Sequence, residues 1–291
     1  MSTWNPEQVT SDLEWVISGP SLLNSTALPT FEFLPETRTR FQTLDSSDLA
    51  SFMNEQCRSH RVGDYFEALV HYALRELAGF NILLAHHQIF DGPRTIGEID
   101  FLLEDRRGRT LHLEVAVKFF LHLGGLAGLA GERALIGPNP ADSLHRKLEH
   151  LQRHQLTLSE RLDQKVDDRK LMMLGRIHRH FHASLQMDCQ QLNSNHLEGL
   201  WCRSNELRDF LSSYPAAVFR VQRKPFWLSR ELNPEWLARE EFLARIENHF
   251  LGSTSSLLSS IMVKNAAEDL SPVETPVFIV SDKWPEVERS A

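Results

Sequence analysis

The chain changes its period once, sharply, between Arg61 and Leu121, and that change decides what it can fold into. From Arg61 to Leu77, the residues Val62, Phe66, Leu69, Val70, Ala73, Leu74 and Leu77 fall on one broad apolar stripe of a helix that Gly79 ends. The next three segments, Asn81–Phe90, Thr95–Glu104 and Thr110–Leu121, are rich in branched and aromatic residues and short enough to be strands. Asp105-Arg106-Arg107-Gly108-Arg109 is a polar turn with a glycine, so the second and third strands are expected to form a hairpin.

Elements on either side extend this pattern. Pro6–Ile17 reads as a helix capped by Asn5, and Ser18–Leu44, rich in Pro, Ser and Thr, as an extended segment over the core. After a Gly-rich loop, Asp142 is expected to cap a helix in which Leu144, Leu148, Leu151 and Gln155 share a face. Leu171–Ile177 and Ala216–Leu228 read as strands, Asn233-Pro234-Glu235 as the start of a helix reaching Phe250, and Val277–Val280 as a last apolar run. The order predicts an α/β fold around a mixed sheet.

Composition bounds the function classes. With 291 residues the chain can bury a sizeable core without staples, and Cys57, Cys189 and Cys202 contain no Cys-x-x-Cys pair, which excludes a zinc ribbon and fits a reducing, cytoplasmic setting. No run approaches the roughly 20 apolar residues of a membrane span, so no membrane partner is expected. The net charge of −8 resides at the two ends, residues 1–50 and 258–291, while residues 51–257 are formally neutral and hold all 14 histidines. An acidic total argues against non-specific coating of nucleic acid but leaves room for a local site in the middle.

The stretch richest in chemistry is Gly97-Glu98-Ile99-Asp100, followed by Glu114-Val115-Ala116-Val117-Lys118. Strand alternation puts Glu98 and Asp100 on one face, and Glu114, Ala116 and Lys118 on one face of the next strand. In a hairpin Asp100 and Glu114 can lie side by side, where two half-buried carboxylates repel unless a cation neutralises them. Glu67, on the edge of the apolar helix stripe, could add a third carboxylate. The oxygen-rich set would suit Mg²⁺ or Mn²⁺. The same alternation also arises on a plain solvated sheet face, with Glu67 a helix-surface acid and Lys118 a partner of Glu114.

Glu67, then Gly97-Glu98-Ile99-Asp100, then Glu114 with a nearby lysine, in helix–strand–strand–strand order, resembles the PD-(D/E)XK nuclease superfamily. The likeness covers roughly Arg61 to Gln155. It implies a restriction-endonuclease-like αβββαβ core with helical and strand decorations. It also implies a metal-dependent phosphodiesterase acting on DNA or RNA, with Mg²⁺ or Mn²⁺ held by Asp100, Glu114 and the Val115 carbonyl and Glu67 in support. The superfamily places its lysine two residues after the acid, where this chain has Ala116. Lys118, about 13 Å from Glu114 along the strand, or Lys147 on the following helix, would fill that role. Lys147, Gln155 and Arg176 are the possible substrate contacts. A nuclease fold that binds or scaffolds without cleaving is the alternative.

More of the chain resembles one uncharacterised bacterial family, domain of unknown function 1853, placed in that superfamily. The carrying residues are Asp12-Leu13-Glu14-Trp15, Glu114 to Phe119, Gly137-Pro138-Asn139-Pro140-Ala141-Asp142, Leu148 to Gln155 and Phe278 to Pro285. The resemblance implies one domain, 1–291, with a core of about 61–180, an N-terminal arm of 1–50 and a C-terminal extension of 181–291.

Three further features stay open at this level. His178, His180 and His182 share a strand face and could bind a soft ion, contact phosphate with Arg176 and Arg179, or simply end a strand. Gly124, Gly125, Gly128 and Gly131 lack the Gly-Lys-Ser/Thr ending of a phosphate loop and read as a flexible border. Appreciable affinity for nucleic acid at physiological salt would need Arg106, Arg107, Arg109, Arg146, Arg176 and Arg179 to gather on one rim.

Overall fold

The computed structural model describes residues 4–124, 129–183, 188–263 and 273–286; Gly125 and Gly128 lie outside them. Asn5 opens helix α1 (Pro6–Ser18), accepting the Gln8 N–H at 3.1 Å, with Pro6 at the first helical position. Val9, Leu13, Val16 and Ile17 are buried on its inner face, so the N-terminal segment is part of the main core. The stretch after it stays extended and covers the open edge of a later strand: Leu22 N–H bonds the Met173 carbonyl at 2.7 Å and Phe31 N–H the Leu171 carbonyl at 2.9 Å. Two short helices absent from the sequence reading then follow, α2 (Pro35–Phe41) and α3 (Ser46–Gln56), the latter capped by Asp45.

Helix α4 (Val62–Tyr72) continues into a wider π-turn, Ala73–Ala78, which Gly79 closes with φ +71°, as expected of an apolar stripe ended by glycine. The three strands fall where alternation placed them: β1 (Asn81–Asp91), β2 (Arg94–Glu104) and β3 (Thr110–His122). Strands β2 and β3 pair antiparallel through the Asp105–Arg109 turn, but the ladder stops at Phe101 opposite Leu113. Beyond that point β3 leaves β2. Its outer edge takes only the two-residue β4 (Leu135–Ile136) near its end.

Helix α5 (Leu144–Arg153) begins one residue later than the sequence suggests, because Ser143 rather than Asp142 supplies the cap, its hydroxyl accepting the Arg146 N–H at 3.3 Å. A 3₁₀ turn, Gln155–Arg161, folds back onto β2. That approach needs Gly97, where a Cβ would meet Leu158 Cδ1 at 2.6 Å.

Strand β5 (Asp168–His180) lies parallel to β3. Next come β6 (Leu197–Arg203), α6 (Leu207–Ser212), β7 (Ala217–Val221), α7 (Arg239–Gly252), β8 (Leu257–Val263) and β9 (Val273–Val280). Strand β7 is shorter than the expected Ala216–Leu228, since Pro225 cannot donate to a ladder. Helix α7 starts at Arg239, well after Asn233, whose φ of +55° departs from the extended backbone of an N-cap.

Among the described residues the strands form one mixed nine-stranded sheet, ordered β1-β2-β3-β5-β6-β9-β8-β7 with β4 beside β3. Helices α1, α3 and α4 pack on one face with Phe101, Leu113, Val115 and Met172. Helix α5 packs on the other with Ala116, Phe120, Met173 and Ile177. Helices α6 and α7 cover the far strands. Alternation therefore decides which face each polar side chain of β3 and β5 reaches.

Candidate active site

Where β3 departs from β2, the next pair in register is Asp100 opposite Glu114. Asp100 Oδ2 accepts the Val115 N–H at 2.8 Å, taking the place that a strand partner would fill. The carboxylate thus caps the end of the ladder while facing the cluster. Glu114, 1% exposed, lies deeper than a solvated sheet face would put it.

Glu114 is held by two donors. His112 Nε2 lies 2.8 Å from Oε1, and Gln155 Nε2 donates to Oε2 at 2.6 Å. Behind His112, its Nδ1 lies 3.0 Å from the Ser159 hydroxyl, which also accepts from Arg169 Nε at 2.9 Å. One proton arrangement satisfies every bond: Arg169 donates to Ser159, Ser159 to His112 Nδ1, and His112 Nε2–H to Glu114. His112 is fully buried, so this line fixes the Glu114 rotamer from inside the protein.

The same segment brings a lysine. Lys147 Nζ donates to Gln155 Oε1 at 2.7 Å, so Lys147, Gln155 and Glu114 form one connected line across the site. Burial pulls the Lys147 ammonium below its usual range, and the nearby Lys118 charge adds to that; Glu114 and Asp100 oppose it. Lys118 is spent elsewhere, its Nζ 2.6 Å from Asp142 Oδ2. Of the two lysines open in the sequence, Lys147 is the one joined to the carboxylates.

Burial pushes the Asp100 carboxyl well above the usual carboxylate range, and repulsion from Glu114 and Glu67 adds to it, against the Val115 N–H and Lys147. Glu67, on α4, is pushed up to about 7 by burial, then by Asp64, Glu98 and Glu114. His86 stands near both Glu67 and Glu98, at 3.8 and 3.7 Å. Among the described residues no three His, Cys, Asp or Glu side chains form a ready metal cage. The oxygen donors that fit a hard divalent ion are Asp100, Glu114 and the Val115 carbonyl, with Glu67 further out; crowded, partly neutralised carboxylates are the observation favouring one.

Other sequence candidates lie away from this cluster. Arg176 alternates onto the face of β5 opposite α5 and lines a separate cavity with Trp15 and Glu274. Arg109 pairs with Asp105 at the start of β3, and Arg179 pairs with Glu198 near the other end of β5, roughly 40 Å away along the strands. Arg146 donates to the Ala141 carbonyl. The arginines thus do not share one rim. The three histidines find separate partners: His178 Nδ1 the Leu200 carbonyl at 3.0 Å, His180 Glu206 at 3.0 Å, and His182 Asp209 at 3.0 Å. Burial pushes His178 down to about 3, so it is neutral. His112, Ser159, Arg169 and Asp142 were missed as site neighbours. Of these only His112, two residues before Glu114 on the same face, carried a signal in the sequence.

No helix among the described residues is long and apolar enough to cross a membrane. No curated protein and no solved structure matches the chain. One family profile does, over residues 11–280. The chain belongs to the family described as Domain of unknown function (DUF1853).

Proposed function

We propose that this protein is a metal-dependent phosphodiesterase of PD-(D/E)XK type that cleaves nucleic acid at the Asp100–Glu114 cluster. The observation that carries the reading is the connected line Lys147–Gln155–Glu114 beside Asp100, two carboxylates and an ammonium converging where two strands part. The order α4, β1, β2, β3, α5, β5 is that expected of a restriction-endonuclease-like core, and it supports the reading. So does the raised Asp100 carboxyl, since a cation would offset the repulsion.

Asp100, Glu114 and the Val115 carbonyl would hold Mg²⁺ or Mn²⁺, which supplies Lewis acidity at the phosphodiester and neutralises its charge. The chain's own groups do the rest. Gln155 and His112 keep Glu114 in one rotamer. Lys147, partly desolvated and beside the carboxylates, faces the developing negative charge on phosphorus, and burial makes its ammonium a readier proton donor than a free lysine. Glu67, titrating near 7, orients water at the edge of the site.

The test is a panel of labelled single- and double-stranded DNA and RNA incubated with Mn²⁺, comparing wild type with the double variant Asp100→Asn, Glu114→Gln. Cleavage by wild type alone supports the reading; no cleavage of any substrate, or equal cleavage by both proteins, contradicts it. The second reading, a fold that binds nucleic acid without cutting it, is favoured by Ala116 at the superfamily's lysine position and by the commitment of Lys118 to Asp142. It predicts retained binding with no cleavage.

A further inference from the structure

A second cavity, of about 630 Å³, opens on the face of the sheet away from α5, between α1 and strands β5, β6 and β9. Trp15, Arg176, Gln222, Leu228, Arg230 and Glu274 are among the residues that line it. Its size is that of a pocket for a small organic molecule.

The charges in it are unevenly spent. Glu274 Oε1 accepts from Arg220 Nε at 2.9 Å and Nη2 at 2.6 Å, and Glu274 Oε2 lies 3.0 Å from Arg230 Nε. Arg220, 1% exposed, is also paired with Glu231. Glu274 thus hydrogen-bonds one guanidinium through Oε1, while its buried Oε2 stands at ion-pair distance from a second without a hydrogen bond. Arg176 faces the same acid only at long range and has no hydrogen bond or ion pair to a described residue. It is half-buried, and burial lowers it to about 10, so it stays charged at neutral pH. A half-buried guanidinium without a bonded partner presents its donors to the cavity, and a fork-shaped anion is the group that satisfies it best.

The Trp15 ring forms part of the wall beside Arg176. The Trp15 indole N–H is buried with no acceptor among the described residues. Trp15, Leu228 and Pro276 provide flat and apolar wall. The one other acid on the lining, Glu14, is exposed to solvent at α1. An unpaired guanidinium beside apolar wall calls for a ligand with acceptor oxygens at one end and a flat body at the other.

We propose that this cavity binds a small aromatic or heterocyclic oxyanion, a carboxylate or a phosphate monoester, with Arg176 gripping the anionic group and Trp15 packing against the ring. The site is separate from the carboxylate cluster and does not depend on it. Strand alternation puts Arg176 and Glu114 on opposite faces of the sheet.

The test uses the whole protein and three probes: inorganic phosphate, benzoate and a nucleoside 5′-monophosphate. Calorimetry and thermal shift are read against sodium chloride at matched ionic strength. At least one ring-bearing probe is expected to bind wild type more tightly than inorganic phosphate does. Which of the two binds distinguishes a carboxylate ligand from a phosphate ester. Arg176→Met should weaken that binding about tenfold or more, and Arg176→Lys, which keeps charge but loses the fork, should weaken it less.

A readout that needs no variant is phenylglyoxal modification followed by mass spectrometry. Arg176 should be modified in the free wild-type protein and protected by the bound probe, while Arg107 on the distant turn should not be protected. Equal affinity of all three probes, no binding by any of them, or binding that leaves Arg176 unprotected would overturn the assignment.

Discussion

Lys118 Nζ lies 2.6 Å from Asp142 Oδ2, and this ion pair commits the strand lysine to a fourth acid supplied by the turn before α5. Lys147, one helix further on, then stands as the ammonium connected to Glu114 through Gln155. The two lysines should separate in a cleavage assay. Lys147→Met is expected to lower the rate about 10²-fold or more, the usual loss when a positioned proton donor or charge is removed, and Lys118→Met to stay within about tenfold. The reverse order would move the catalytic role to Lys118.

Stability should depend on pH in a direction set by the carboxylates. The folded-state values of Asp100 and Glu67 lie above their ordinary 3.8 and 4.5, Glu67 at about 7. Their contribution is fully present below the ordinary values and is lost as pH rises, because the unfolded chain ionises first. In the metal-free protein the share of stability owed to these two carboxyls should therefore fall between about pH 4 and pH 7 and beyond, which a comparison of wild type with a variant isolates from the opposite trend of the buried histidines. Asp100→Asn, whose amide oxygen can still accept from Val115, should be more stable than wild type at pH 8 by about 1–2 kcal/mol. Urea denaturation at pH 5 and pH 8 checks the sign; a variant less stable than wild type at pH 8 would show that no repulsion is stored there.

His112 carries a structural load that Glu114 makes visible. Removing the imidazole leaves a buried carboxylate with one donor fewer and the Ser159 hydroxyl, still accepting from Arg169, without an acceptor for its own proton, so His112→Ala should cost about 2–4 kcal/mol by urea denaturation. His112→Gln, which restores one donor towards Glu114, should recover part of that. A His112→Ala protein of wild-type stability would mean that the buried line does not hold Glu114.

Gly175 lets β5 lie against β3 beside Lys118. Its φ is +149°, and a Cβ there would meet the Lys118 carbonyl oxygen at 1.7 Å. Gly175→Ala is thus expected to cost about 3 kcal/mol or more, from strain and displaced strands together. Thermal unfolding reads it directly, and a shift of only a degree or so would mean the strands part easily at this point.

The carboxylate pair was legible because strand alternation and a turn with one glycine dictate which residues of a hairpin face each other; Asp100 and Glu114 needed nothing more. The lysine was harder. Ser143 takes the cap of α5 and frees Asp142, and that exchange of two adjacent polar residues decides what Lys118 pairs with. Such a choice depends on hydroxyl and carboxylate geometry at one turn. Arg176 was readable only in part. Alternation gives its face of β5, but what lies over that face comes from α1 and β9, elements far away along the chain in both directions. Helices α2 and α3 were hidden because each is short, and α2 carries only one buried residue, too little for a hydrophobic stripe. Helix α7 was placed too early because Asn-Pro-Glu is a sound start signal that the left-handed backbone at Asn233 overrides.

The central claim is that Asp100 and Glu114 are crowded together to receive a divalent cation. Isothermal calorimetry with Mn²⁺ at pH 6.5 and pH 8, on wild type and on the Asp100→Asn, Glu114→Gln variant, tests it most directly. The account predicts saturable binding by wild type, tighter at pH 8 because protons held by the carboxylates must leave, and no such binding by the variant. Absence of binding in wild type, or equal binding in the variant, would contradict it.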